Sequence, residues 1–251
     1  MPILVIIAIT VTAFFTAFLS GVFGMAGGLV LMGVLTSLMP LGQAMVTHGV
    51  LQITANSWRA FLLRPHIQWS IIGYFLMGAA GAIFLLFFIS VHPSKTSVYL
   101  TLGVLPLIVW VPRDWVHLDT RRAGHAVLCG FLASGFSVAA GISSTVMDIF
   151  FVRSTLTRHE IVATKAIGQI IGHVVKVIYW SWAVMTALGS EAFPPLWLFA
   201  LALPLSFAGT WGGKQVLGRF TDAGFIKTVR ILVTLIGVFF IIRGLALLMP
   251  A

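Results

Sequence analysis

The chain has 251 residues, 59% of them hydrophobic and only 8% charged, with a formal net charge of +9. So little charge cannot solvate a soluble domain of this size, which makes this an all-α polytopic membrane protein. Strand alternation is absent, which argues against a β-barrel. The basic excess fits membrane loops that set orientation better than it fits a nucleic-acid partner.

Residues 3–39 are apolar almost throughout but are interrupted by SGVFGMAGG, residues 20–28. One straight helix of that length would reach about 55 Å, against a hydrocarbon core of about 30 Å. Two shorter helices or half-helices are therefore expected to meet at the glycines. A helix over 42–63 follows, then a turn at Arg64-Pro65-His66, a helix over 68–90, punctuation at His92-Pro93 and a span over 96–111. The polar segment PRDWVHLDTRR, residues 112–122, reads as a connector between a first half, 1–111, and a second, 123–251. Residues 123–155 repeat the opening theme with ASGFSVAAGISSTVMD, aligning Ser20 with Ser134, Gly21 with Gly135 and Gly28 with Gly141. Thr157-Arg158-His159-Glu160 is a capping-box pattern that starts a long helix near 158, to end before Gly189. Pro194-Pro195 opens a helix to about 212, a basic loop carries Lys214, Arg219, Lys227 and Arg230, and the last span is 229–248.

Charge orients these segments. With the 214–230 loop in the cytoplasm, and 123–155 entering and returning, the connector and the 64–66 and 153–160 loops are also cytoplasmic, and both termini lie outside. Only Lys95 and Arg243 then fall on the outer side, while Lys165 and Lys176 lie within a span. Loop 40–42 and its equivalent at 156–158 end on opposite faces, so the halves are inverted. The expectation is two inverted repeats with Gly-rich broken helices, about eight full spans or ten embedded segments, in a cell inner membrane. No charge precedes Arg59, so the first segment is expected to stay in the mature chain. The single Cys129 excludes an internal disulfide and a multi-cysteine metal site.

Two polar stripes stand out. Lys165, Gln169, His173 and Lys176 fall within a sector of roughly 80° on one helix face. His48, Gln52, Asn56 and Arg59 repeat the pattern, with Thr47 matching Thr164, Gln52 matching Gln169 and Arg59 matching Lys176. Charged side chains at membrane depth face a protein interior or a wet cavity. A lysine there either neutralises a buried acid, Asp148 or Glu160, or binds an anion. On the second reading Lys165, Gln169 and His173 form one wall and His48, Gln52 and Asn56 the other. The breaks add N–H groups and hydroxyls at Gly27, Gly28, Gly141, Ser143 and Ser144; the competing role for such residues is close helix packing. Asp148 is the one acid placed within the bilayer, as a partner of Arg153, Lys165 or a histidine, or as a proton carrier. Arg59 and Lys176 are assigned with it to coupling or gating.

No Walker A, HExxH, nucleophile elbow or dinucleotide fingerprint occurs, and the GxxGxxG from Gly21 follows no strand. The chain is not expected to be an enzyme; the best nucleophile–base pair would be Ser143 or Ser144 with His173. An anion channel would use the same basic lining as a transporter. No cofactor is implied, and the partners are a small anion, the lipid bilayer and, as candidate coupling ion, the proton.

In SGVFGMAGGLVLMGVL and SGFSVAAGISSTVMDI, each followed by a polar helix, the sequence resembles the sulfite exporter TauE/SafE family of membrane permeases over essentially its whole length. That resemblance implies secondary transport of small sulfur-containing or organic anions such as sulfite or sulfoacetate.

Overall fold

The computed structural model describes residues 2–24, 26–110, 118–151, 154–190, 193–217 and 222–249, without the side chains of 108, 109, 217, 222–227 and 229. Residues 112–117 of the connector, and Arg153, Glu191 and Arg219 in the expected loops, lie outside the described residues. The first half holds α1 (Ile3–Phe23), α2 (Gly27–Leu38), α3 (Leu41–Leu62), α4 (Trp69–Phe88) and α5 (Lys95–Val104). The second holds α6 (Ala123–Ala140), α7 (Ser144–Phe151), α8 (Arg158–Leu188), α9 (Leu196–Leu217) and α10 (Asp222–Ala246). No strand occurs among the described residues. Five of these helices (α1, α4, α6, α8 and α9) are long and apolar enough to cross a membrane.

Three expected boundaries move. The span over 96–111 stops as an α-helix at Val104 and continues as a 3-10 turn over Leu105–Trp110. Pro106 has no N–H to give and its ring crowds the preceding turn. Helix α9 runs beyond 212 to Leu217, carrying Pro204 inside it, and α10 begins at Asp222 rather than 229. Helix α8 starts where the capping box requires: the Thr157 hydroxyl accepts from the Glu160 N–H, and the Glu160 carboxylate accepts from the Thr157 N–H.

The breaks obey a more exact symmetry than the aligned glycines implied. Helix α1 ends at Gly24, whose φ is 66° and whose N–H donates to the Ser20 carbonyl at 2.8 Å. Helix α6 ends at Gly141, with φ 81° and its N–H on the Ser137 carbonyl at 3.0 Å. Left-handed caps of this kind suit glycine because it has no Cβ to clash. The structural equivalents are thus Ser20 with Ser137 and Gly24 with Gly141, in the same register that relates the two stripes. The alignment of Gly28 with Gly141 and of Ser20 with Ser134 is corrected accordingly. Beyond each break lies a short helix: α2 would rise about 18 Å and α7 about 12 Å, too little to cross alone.

Helix α3 runs antiparallel to α8. Gly42 lies against Val184 and Trp180, Gly49 against Val177 and the His173 carbonyl, and Ala60 clusters with Val162, Ala163 and Ala166. Equivalent helices that pass each other antiparallel are related by a two-fold axis perpendicular to them, which is the geometry of an inverted repeat. The outer packing follows the same exchange: α9 of the second half packs on α1 of the first, α4 of the first packs on α6 of the second, and α5 meets α10. Bulky apolar side chains such as Phe84, Phe87, Phe88, Trp182 and Leu196 point outward, as a lipid-facing surface requires, and the polar stripes are turned inward.

Gly21 and Gly135, paired in the sequence reading, do different work. A Cβ at Gly21 would come within 2.8 Å of the Thr210 carbonyl and 3.1 Å of the Gly213 Cα, whereas one at Gly135 meets nothing within 4 Å. Gly21→Ala should therefore lower stability by about 1–3 kcal/mol through overpacking of α1 on α9. Gly135→Ala should raise it by roughly 0.5–1 kcal/mol through helix propensity. Thermal unfolding of the two variants in detergent checks the contrast.

Candidate functional site

The two stripes meet where α3 crosses α8. His48, Gln52, Asn56 and Arg59 on α3 are all buried, and so are Lys165, Gln169, His173 and Lys176 on α8. Both breaks reach this crossing. His48 links to the first, its Nε2 lying 2.9 Å from the Gly28 carbonyl. Lys176 links to the second, its ammonium donating to the Gly141 carbonyl at 3.0 Å. The two side chains join each other at 2.6 Å, from Lys176 Nζ to His48 Nδ1. A carbonyl can only accept, so His48 carries its proton on Nε2 and offers Nδ1 to the lysine. The His48 and His173 rings lie edge to face, with centroids 5.3 Å apart.

Beside Lys176 lies a group of polar atoms with nothing to bond. The hydroxyls of Ser137 and Ser143 and the Nδ1 of His173 are buried and have no hydrogen-bond partner among the described residues. They are neighbours: a Cβ at Gly172 would lie 3.4 Å from the Ser143 Cβ and 3.6 Å from the Ser137 hydroxyl, and His173 follows in the chain. The Ser134 hydroxyl, one turn earlier on α6, is likewise buried and unpartnered. Buried polar groups left unpaired cost about 1–3 kcal/mol each. A small oxygen-bearing anion resting near the Lys176 ammonium would satisfy hydroxyl donors of this kind. Ser137 is absent from the sequence-based set. The one signal that could have found it was its register with Ser20.

The remaining candidates sort by what they touch. Gln52 lies beside Gly28 and accepts from Asn56 Nδ2 at 3.4 Å. Gln169 reaches the Gly24 carbonyl only at the hydrogen-bond limit of 3.5 Å. Gly27 packs tightly on the Thr16 carbonyl and the Ser20 hydroxyl, so it serves the close approach of α2 to α1. Ser144 opens α7 and is buried. Lys165 and Asp148 form an ion pair between α8 and α7. Asp148 takes Lys165, one of the partners weighed for it, while its Oδ2 is buried with no hydrogen-bond partner among the described residues. The two stripe lysines therefore differ: Lys165 is already neutralised, and the partners of Lys176 among the described residues are a carbonyl and an imidazole. Arg59 donates from Nη1 to the side-chain Oδ1 of Asn56 at 2.6 Å. No cluster of His, Cys, Asp or Glu able to hold a metal occurs among the described residues.

An inward-facing basic and hydroxyl-rich centre, framed by broken helices inside an apolar shell, is the polar core of a polytopic membrane protein. The chain belongs to the sulfite exporter TauE/SafE family, whose model it matches over residues 9–240. No curated protein and no solved structure matches it.

Breaking the α7–α8 ion pair tests the role of Lys165. Lys165→Ala should destabilise the fold by about 3 kcal/mol, because Asp148 is left without its counter-charge. Lys165→Ala with Asp148→Ala should recover part of that loss. A double-mutant cycle from chemical denaturation gives the coupling energy.

Proposed function

We propose that the chain is a secondary transporter for a small sulfur-containing anion, such as sulfite or an organosulfonate, in the inner membrane. The observation that carries this is Lys176: a buried ammonium with no carboxylate beside it among the described residues, adjoining the unpartnered Ser137, Ser143 and His173. A buried cation is costly unless an anion joins it, and several kcal/mol are at stake. Lysine gives three donors; two are spent on His48 and Gly141, and the third is left for a ligand. The serine hydroxyls supply directional donors to the oxygens of a sulfite or sulfonate group, which a spherical halide would use poorly.

The same contacts suggest how the anion crosses. Lys176 and His48 tie the first break to the second, so movement of one half against the other must remake this link. An anion that takes over a donor of Lys176 weakens the tie and favours the rearrangement, and release restores it. Alternating exposure of a site shared by two inverted halves then follows from rocking about the α3–α8 crossing. Asp148 is suited to carry the coupling proton: protonating it would release Lys165, and the pair joins α7 to the stripe helix.

Sulfite flux into proteoliposomes tests the reading. Wild-type protein should transport, at rates far below those of a channel and without channel-like currents. Lys176→Ala should cut flux at least tenfold while the protein still elutes as a folded species on gel filtration, and Lys176→Arg should retain part of it. Asp148→Asn should abolish uptake driven by a pH gradient yet leave one-for-one anion exchange intact. Wild-type flux that Lys176→Ala leaves unchanged would remove Lys176 from the site.

A further inference from the structure

The symmetry that relates Gly24 to Gly141 also relates Arg59 to Lys176, and the two members of that second pair are used differently. Lys176 is seated: its ammonium holds the carbonyl of its own half's break, Gly141, at 3.0 Å. The first half has the same cap, with the Gly24 N–H on the Ser20 carbonyl and φ 66°. Among the described residues no hydrogen bond joins Arg59 to the Gly24 carbonyl, and the side chain that reaches that carbonyl is Gln169, at 3.5 Å. Arg59 is 2% exposed, and its Nη1 is held by Asn56 at 2.6 Å. Its Nε and Nη2 are buried without a hydrogen-bond partner among the described residues. Those two nitrogens form one edge of the guanidinium, the fork that grips two oxygens of a single oxyanion side by side. Leaving that edge buried and empty costs more than leaving one neutral donor so.

We infer that Arg59 forms a second anion station, the inverted counterpart of the Lys176 station, which receives the anion on the opposite side of the α3–α8 crossing; this rests on the transport reading above. The position of the two stations follows from the packing. Helix α8 begins beside Arg64–His66, where Glu160 accepts from the Gln68 amide, and Tyr179 further along it bonds Val91 at the other end. Arg59 therefore lies towards the Arg64 face and Lys176 towards the Val91 face, about 15 Å apart along the helix pair. Asn56 holds the guanidinium on one edge and leaves the other to the ligand, so it positions Arg59. The structure has one station closed on its break and the other open. In inverted repeats the opposite state is reached when the halves exchange conformations. In that state Arg59 takes the Gly24 carbonyl and Lys176 gives up Gly141. One anion thus passes between two cations that are never both satisfied by the protein.

The test measures sulfite KM from each face, in right-side-out and inside-out membrane vesicles holding the full chain. Arg59→Gln should raise KM at least tenfold for sulfite presented at the Arg64 face and change it less than twofold at the Val91 face. Lys176→Gln should do the reverse. Arg59→Lys keeps the charge but loses the fork, and should raise KM at the Arg64 face by about threefold to tenfold; it serves if the glutamine variant does not fold. A structural role would instead lower the rate equally from both faces and leave KM unchanged. Equal KM changes at the two faces, or none, overturn the second station while wild-type flux still stands. Absence of sulfite flux in the wild type overturns the transport reading itself, and the station with it.

Discussion

The contact between Lys176 and His48 is the one on which the architecture turns. It joins α8 to α3, and through the Gly141 and Gly28 carbonyls it joins both breaks to that crossing. Its energetic logic is specific to a membrane protein. In hydrocarbon every polar backbone group must be satisfied internally. A broken helix exposes carbonyls and N–H groups that the next turn would have used. Lys176 takes up the carbonyl of Gly141, just beyond the last turn of α6, and His48 anchors the first turn of α2 through Gly28, so the interruption survives inside a shell of apolar residues. The left-handed glycines complete the job by closing the last turns of α1 and α6 onto Ser20 and Ser137.

Asymmetry within this symmetric plan carries the chemistry. Strict equivalence would give Arg59 a carbonyl, would give Lys165 the environment of His48, and would make Ala26 a match for Ser143. Each of these pairs departs from it. Ala26 sits at φ 63°, the one non-glycine residue with positive φ among those described, while Ser143 adds a hydroxyl to the second break. Lys165 is neutralised by Asp148 on α7, and α2 bears no acid. The two breaks are thus built for separate tasks. One break is rich in glycine and close-packed; the other is rich in serine and polar.

The parts of this arrangement visible in the amino-acid order are those with a large energetic signature. Lysine and histidine inside a run of apolar residues are expensive, so the two stripes and their common register could be read directly. The glycine breaks and the capping box at Thr157 could be read for the same reason, since each answers a backbone requirement. The alignment of the breaks went astray because Gly and Ser recur every few residues there, and several registers look alike without φ angles. That Asp148 would meet Lys165 depended on where the eight-residue α7 points, which packing settles. Ser137 left no mark because a lone serine in a membrane helix usually bonds its own backbone. Pro106 was a local signal that the apolar run around it obscured.

The exchange of α4 and α9 between halves has a bearing on how the protein is made. Helix α4 buries its Gly78 face against Val127 and Phe131 of α6, and Gly130 of α6 rests on the Phe75 backbone. At the moment α4 leaves the ribosome its mate has yet to be synthesised, and α1 must wait longer still for α9. The early half is thus a scaffold with open docking grooves held in lipid. Final assembly is a late clasp in which the early helices and the late ones supply each other's missing walls, α9 against α1 and α6 against α4.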